Sequence, residues 1–339
     1  MSGAGDELTD GVVTLRPFDE RHIEAHVTGE DDEIRYWFGQ PGPSTTERMT
    51  EVVERWRRDR EAGSRLTFAV LHDERAVGVV EARPDGESAS LSWTLYAGQR
   101  GQGFATRAIR LLVGHLFEDL GVRRVQAEVD PRNVASQRVA TRAGLRREGV
   151  QRLEPGMTDR PDAEGMVIYA RLVSDAPTTE PEGFRALLNS FLPRKRAISQ
   201  LLVRDHDDRV LICRHTYKSD WDLPGGVVEV GESPQLAAGR EIQEELALDI
   251  QAGALLLTDW LPPWSGWDDA LCLVFDGGEH DASITEDIVK QAREIREAEF
   301  ATIEEVLERC ADFTARRIES ALRNRAAGGG PAYVESGGR

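Results

Sequence analysis

Cysteine, lysine and long apolar runs are scarce in this chain of 339 residues. Its three cysteines, Cys213, Cys272 and Cys310, are odd in number, far apart and without a Cys-x-x-Cys pair. That excludes a disulfide framework and reads as buried free thiols in a reducing compartment. No run of about 18 apolar residues is present, so no membrane-spanning helix is expected. The opening MSGAGDELTDG has neither a basic segment nor an apolar core, which argues against a signal peptide and for a cytoplasmic protein. Among 42 basic residues only Lys195, Lys218 and Lys290 are lysines, a compositional bias without a functional reading. The 60 acidic residues leave a net charge of −18 and no long basic block stands out. Bulk attraction to nucleic acid or to an anionic membrane is therefore excluded, a local basic pocket aside.

What is present is a soluble globular composition, 40% hydrophobic and 30% charged, long enough for two domains that each bury a core. Apolar runs at 12–16, 66–72, 76–82, 91–96 and 124–129 predict strands, with helical segments between them. The polar, proline-interrupted stretch SDAPTTEPEG at 174–183 predicts a linker, and a short helix is expected at 184–192. A second, β-rich domain is expected from 194. There, 198–203 and 210–213 read as a hairpin around a polar turn, and 303–323 as the last helix. The Gly-rich segment 326–339 is expected to be a disordered tail. The expected organisation is thus 1–173, a connector at 174–193, and 194–325, followed by that tail.

Residues 226–248, GVVEVGESPQLAAGREIQEELAL, place a glycine turn before a helix with three clustered carboxylates. Ser233 suits an N-cap and Pro234 the first helical position. Ala238, Ile242 and Leu246 repeat at i, i+4 as a core-facing stripe. Glu241 and Glu245 share a helix face, with Glu244 beside them, and three adjacent anions require a counter-charge. A hard divalent cation such as Mg²⁺ fits that donor set. Gly225 and Gly226 allow a tight turn and a close approach to a ligand.

This segment resembles the Nudix hydrolase box, G-x5-E-x7-R-E-U-x-E-E-x-G-U, with U a bulky aliphatic residue. Gly226, Glu232, Arg240, Glu241, Ile242, Glu244, Glu245 and Leu248 stand at the matching positions, and Trp221-Asp222-Leu223-Pro224-Gly225 resembles the family's approach to the box. One position departs. Ala247 replaces the glycine of a C-terminal helix turn, where a left-handed residue costs alanine roughly 1–2 kcal/mol. The resemblance implies Mg²⁺ (or Mn²⁺) held by Gly226, Glu241, Glu244 and Glu245, with Glu232 joining the site or supporting the helix through Arg240. It further implies hydrolysis of a nucleoside diphosphate linked to another moiety. Catalytic roles fall on Glu244 and Glu245, with Glu294 and Glu297 as other candidates for the base. Trp260, Trp264 and Trp267 lie in a loop where they either stack on a base or cover a core edge.

Upstream, residues 91–107 place a strand, a glycine turn and a helix with apolar positions at Ala105, Ile109, Leu112 and Leu116. N–H groups at such a helix start converge on an anion. Arg100-x-x-Gly103-x-Ala105 resembles the acetyl-CoA pyrophosphate turn of GNAT acyltransferases. The following strand leads to Asn133-Val-Ala-Ser136, which resembles the family's second motif near the thiol. The likeness covers roughly residues 11–172 and is nearest the ribosomal-protein N-terminal acetyltransferases. It implies acetyl-CoA bound by Arg100, Gly101, Gln102, Gly103, Ala105, Thr106 and Asn133, with an amine or a protein N-terminus as acceptor. Many relatives carry a tyrosine seven residues after the asparagine, as acid for the CoA thiolate; here that position is Ala140. Ser136 is the substitute hydroxyl, or else a helix cap. Glu148 and Glu154 are candidates for the base.

The expected fold class is α/β and α+β in two domains, a GNAT acyltransferase fold followed by a Nudix α/β/α sandwich. The expected function is bifunctional: acetyl transfer and Mg-dependent hydrolysis. Two alternatives stand beside it: an active Nudix domain with a CoA-sensing GNAT domain, or two ligand-binding regulators.

Overall fold

The computed structural model describes residues 7–153, 165–264 and 266–338. The chain forms two compact units, Met1–Leu192 and Pro193–Arg339. In the first, the strands are β1 (Leu8–Thr9), β2 (Thr14–Pro17), β3 (Leu66–His72), β4 (Arg75–Asp85), β5 (Ser88–Leu95), β6 (Arg124–Val129), β7 (Arg146–Arg152) and β8 (Gly165–Leu172). The helices are α1 (Ile23–Gly29), α2 (Asp32–Trp37), α3 (Thr46–Glu61), α4 (Phe104–Glu118), α5 (Val134–Arg142) and α6 (Pro181–Phe191). The sheet runs β1-β2-β3-β4-β5-β6-β8-β7.

One pairing in that sheet decides where a ligand can enter. β5 and β6 are parallel, joined through α4, and they pair only at Ser88↔Arg124, Ala89↔Val125 and Ser90↔Gln126. Beyond Ser90 the two strands part, while β5 stays paired to β4 as far as Leu95↔Gly78. The side of β5 facing β6 is left open over residues 91–95. A glycine is needed at 78 because a Cβ there would collide with the Thr94 carbonyl. α4 buries Phe104, Ala105, Ala108, Ile109, Leu112, Val113 and Leu116. Each large side chain on that face stabilises the packing by about 1.5–3 kcal/mol, which holds the helix start at the mouth of the cleft.

The second unit contains β9 (Arg196–Asp205), β10 (Val210–His215), β11 (Trp221–Asp222), β12 (Gly225–Val227), β13 (Leu255–Leu261), β14 (Ala270–His280), β15 (Ile295–Ala301) and β16 (Ala332–Glu335). Its helices are α7 (Pro234–Leu246), α8 (Ile303–Arg309) and α9 (Asp312–Ala326). One ladder is β12-β9-β14-β13-β16, and β11 and β15 flank β10 in the other. Alternation along β9 sends Leu201 and Val203 to the core under α7 and Leu202 to the core under α9. The result is two helical layers around sheet.

Four sequence expectations are corrected here. The hairpin at 198–213 is nearly absent, because β9 and β10 share only Val210↔Arg204 and then diverge. β9 pairs instead with β14 and β12, and β10 with β15. The single last helix is two. Cys310 is extended, buried and bridged to Trp221, which ends α8 before α9 begins. The segment expected to be disordered at 326–339 contains β16, parallel to β13 from Leu257↔Ala332 to Trp260↔Glu335. It is fastened by the Gly337 N–H donating to buried Asp259 (3.0 Å). The helix expected at 184–192 begins at Pro181, with proline at its first turn, and the Arg147 N–H donates to its Ser190 hydroxyl (3.1 Å).

Candidate functional sites

In the first unit, the parted strands form the walls of a cavity of about 340 Å³, lined by residues 91–95 of β5, 127–130 after the divergence, and the start of α4. Gly101 and Gly103 have φ of +81° and +85°, with open space where a Cβ would stand. α4 therefore starts on a left-handed glycine and without a side-chain cap. Its first N–H groups have no intrahelical carbonyl to bind. Gly101, Gly103, Ala105, Thr106, Asn133 and Ser136 all line this cavity, whereas Gln102 lines a neighbouring groove along α4 with Arg107 and Arg110.

The side chains qualify several assignments. Arg100 lines the cavity, yet its guanidinium is paired with Asp31 (2.8 Å) and Glu33 (2.6 Å) and donates to the Leu95 carbonyl. It braces α2 against β5. Asn133 is the N-cap of α5, its side chain accepting from the Ser136 N–H (2.9 Å). Ser136 is consequently not the cap, and it remains among the residues lining the cavity. Ala140 is fully buried in the core.

Glu148 is bound bidentately by Arg124 (2.9 and 2.6 Å), which holds its carboxyl below the usual range, and it is not among the cavity residues. Glu154 lies outside the described residues. Sequence reasoning missed Glu128. It is exposed on β6 and lines the cavity, and its side chain forms no ion pair or hydrogen bond among the described residues. Its position five residues before Asn133, between buried Ala127 and Val129, was the available signal.

In the second unit, β12 carries Gly226 against α7. A Cβ on Gly226 would stand 2.6 Å from the Glu241 carboxyl carbon, so the missing side chain is what admits that carboxylate. Burial raises the Glu241 pKa; Arg240 opposes the shift, and Glu245 and Glu244 add to it. Glu245 is buried at the end of α7, its Oε2 accepting from the Gly225 N–H (3.0 Å) and its Oε1 lying 3.3 Å from His215 Nε2. Arg240 gathers the remaining acids. Its Nε and Nη2 bind Glu232 (2.8 and 3.0 Å), Nη1 binds Glu244 (2.9 Å), and Nη2 lies 3.0 Å from Glu241. The Arg240 bond pulls the Glu232 pKa down to about 2.

The counter-charge anticipated for the acidic cluster is thus partly internal. Among the described residues, no three His, Cys, Asp or Glu side chains are already clustered as a ligand set for a metal ion. The donor chemistry still fits a hard cation: a glycine turn pressed on one half-buried carboxylate whose charge is disfavoured, and a second carboxylate oriented beside it.

Ser233 occupies the N-cap position of α7 but makes no side-chain cap bond; Pro234 takes the first turn as expected. Ala247 does adopt the left-handed conformation, with φ 60° and ψ 23°. Glu297 is paired with Arg214 (3.0 Å), and Glu294 is exposed. Trp264 and Trp267 form a bridged pair at a hairpin tip, 61% and 58% exposed, with Trp267 under Arg196 and Trp264 edge-on to Phe313. Trp260 donates to Asp269 (3.3 Å).

The first unit thus holds a cleft between parted parallel strands at a glycine-started helix, and the second a glycine–glutamate turn on a carboxylate helix. The Acetyltransferase (GNAT) domain family model matches residues 13–146, and the NUDIX domain model matches residues 193–322. The chain carries a GNAT domain followed by a NUDIX domain.

It is 35% identical over 109 residues to a probable N-acetyltransferase YjcK of Bacillus subtilis, covering 31% of this chain and 59% of that protein. It is 35% identical over 69 residues to an 8-oxo-dGTP diphosphatase of Proteus vulgaris, covering 19% and 62%. A MutT-like protein of Streptomyces ambofaciens is 34% identical over 59 residues, covering 17% and 38%. The chain therefore spans less than two thirds of each of these relatives. The solved structure of Mycobacterium smegmatis RimJ in complex with CoA-disulfide is 21% identical, with a TM-score of 0.47, covering 55% of this chain and 95% of that one. Among the described residues no helix is long and apolar enough to cross a membrane.

Proposed function

We propose that the GNAT domain transfers an acetyl group from acetyl-CoA to an amine, a protein N-terminus being the favoured acceptor. The NUDIX domain would hydrolyse a nucleoside diphosphate derivative with Mg²⁺ or Mn²⁺. The packing of Glu241 and Glu245 against the Gly225–Gly226 turn carries the hydrolase reading. Gly226, Glu241, Glu244 and Glu245 would hold the cation, which when bound polarises a phosphoryl oxygen and orients water. Arg240 keeps Glu232 ionised and the box loop closed on the helix. Glu244, the most exposed of the three carboxylates, is the candidate base, with Glu245 as its oriented neighbour. The name of the Proteus relative supports including nucleoside triphosphates among the substrates to test. The exposed Trp264–Trp267 pair is a candidate stacking surface.

In the GNAT domain, Gly101, Gly103, Ala105, Thr106 and Asn133 would line the pyrophosphate and pantetheine path, with Arg100 bracing its wall and Gln102 at its outer groove. Ser136 would donate a proton to the leaving thiolate, and Glu128 would take the proton of the acceptor amine. The burial of Ala140 where relatives place tyrosine favours one second reading, a GNAT domain that binds CoA as a sensor without turnover. Three buried free thiols support a cytoplasmic setting.

The decisive experiment offers the whole protein acetyl-CoA with amine and peptide acceptors, and separately Mg²⁺ with nucleotide sugars, dinucleotides, nucleoside triphosphates and CoA. Products are read by mass spectrometry. Acetylated acceptor and a cleaved anhydride support the bifunctional reading. CoA binding without acetylated product supports the sensor, and no cleavage of any anhydride removes the hydrolase.

A further inference from the structure

We propose that His215 is a positioning residue for Glu245, fixing the carboxylate on which the proposed cation-dependent hydrolysis depends. The inference rests on that reading of the carboxylate helix. His215 closes β10 and Glu245 is the penultimate residue of α7; both are 3% exposed. The ring Nε2 lies 3.3 Å from Glu245 Oε1, and the Gly225 N–H donates to Oε2 at 3.0 Å. Two donors from two different backbone elements, one on each oxygen, fix both the tilt and the rotation of the carboxylate. Each oxygen keeps a lone pair for a further partner. Neighbouring Gly226 is the position at which a side chain would strike Glu241, so both carboxylates are aligned by the same short turn.

Packing alone does not account for an imidazole here. Residues Val210, Leu211 and Ile212 of the same strand are apolar and fully buried, and a leucine would satisfy the same interior. His215 Nδ1 is buried without any hydrogen-bond partner. When Nε2 donates to Glu245, Nδ1 faces no partner, so one nitrogen is left unsatisfied while the other holds the carboxylate. The ring also contacts Tyr217, 5.2 Å between centroids. Groups that orient a ligating side chain commonly alter metal affinity by about 10–100-fold when removed.

The test is a Mn²⁺ titration of the full chain followed by electron paramagnetic resonance, with Mn²⁺ alone as the probe. Wild type, His215→Leu, His215→Gln and Glu245→Gln are compared, and folding is checked by melting temperature. We expect His215→Leu to weaken Mn²⁺ binding by about 10–100-fold. His215→Gln, whose amide nitrogen reaches the same oxygen, should recover most of the affinity. If the leucine variant does not fold, His215→Asn, a shorter amide, carries the same comparison. A folded His215→Leu or His215→Asn protein with wild-type affinity would overturn the positioning role. So would failure of His215→Gln to exceed the leucine or asparagine variant. Wild-type protein that binds no Mn²⁺, or binds it as Glu245→Gln does, would overturn the hydrolase reading and this inference with it.

Discussion

Arg240 and Glu232 are joined by two parallel hydrogen bonds, Nε to Oε1 at 2.8 Å and Nη2 to Oε2 at 3.0 Å. The same guanidinium also serves Glu241 and Glu244. It ties the loop before α7 to the helix and stands in as a counter-ion within the acidic cluster. Replacing it with alanine should loosen that loop and leave Glu241 and Glu244 without a fixed cation. Arg240→Ala should destabilise the NUDIX unit by about 1 kcal/mol, because the group is partly exposed and screened. Denaturant unfolding measures this, and a loss near zero would show the network to be energetically idle.

Ala247 ends α7 in the left-handed region, its N–H donating to the Gln243 carbonyl at 3.0 Å. Glycine adopts that conformation without the Cβ clash. Ala247→Gly should therefore stabilise the unit by about 1 kcal/mol, seen as a higher denaturation midpoint with an unchanged slope.

Arg317 is buried between Asp259 (2.8 Å) and Asp222 (3.7 Å), and Asp222 is also held by Lys218 (2.8 Å). Burial opposes ionisation of Asp222, yet Lys218 and Arg317 hold its pKa well below the usual carboxylate range. A carboxylate depressed in the folded state adds stability above its unfolded pKa and loses it as pH falls through the folded value. The NUDIX unit should lose stability progressively below about pH 4. Arg317→Met should cost about 3–5 kcal/mol at neutral pH by stranding buried carboxylates. Thermal unfolding across pH checks both: a flat profile between pH 5 and pH 2 would contradict the assignment.

Much of this architecture was legible because its determinants are local. The glycine turn, proline start and carboxylate spacing of 226–248 all act within a few residues, and the left-handed turn at Ala247 followed from a single departure from the box. Determinants distant in sequence were not legible. The engagement of Arg100 depends on Asp31 and Glu33, 69 and 67 residues away. β16 is ordered because Gly337 satisfies Asp259, a buried acceptor 78 residues earlier. The hairpin expected at 198–213 failed because β9 finds better partners in β14 and β12 than in its chain neighbour. His215 gave no signal in sequence, since its meaning depends on Glu245, 30 residues later.

β16 lies against β13 near the end of the described residues. Removing residues 329–339 would take away β16 and the Gly337 N–H that Asp259 accepts. An unsatisfied buried carboxylate oxygen costs about 1–3 kcal/mol, so the truncated protein should melt at a lower temperature. An unchanged melting temperature would show that the strand contributes nothing.

In the GNAT unit, Gly103→Asp puts a negative side chain into the open space at the start of α4 and strains a residue at φ +85°. Acetyl-CoA binding by calorimetry should be lost. Glu128→Gln should leave that binding intact while lowering acetyl transfer by about 100-fold or more; equal transfer rates would return the base to Glu154 or to solvent.

The α7 carboxylates are proposed to form a working hydrolytic centre. Mg²⁺-dependent cleavage of the best nucleotide substrate, measured for wild type and Glu245→Gln at equal concentrations of folded protein, tests it most directly. The variant should lose at least about 100-fold in kcat/KM; equal rates would contradict a hydrolytic role for these carboxylates.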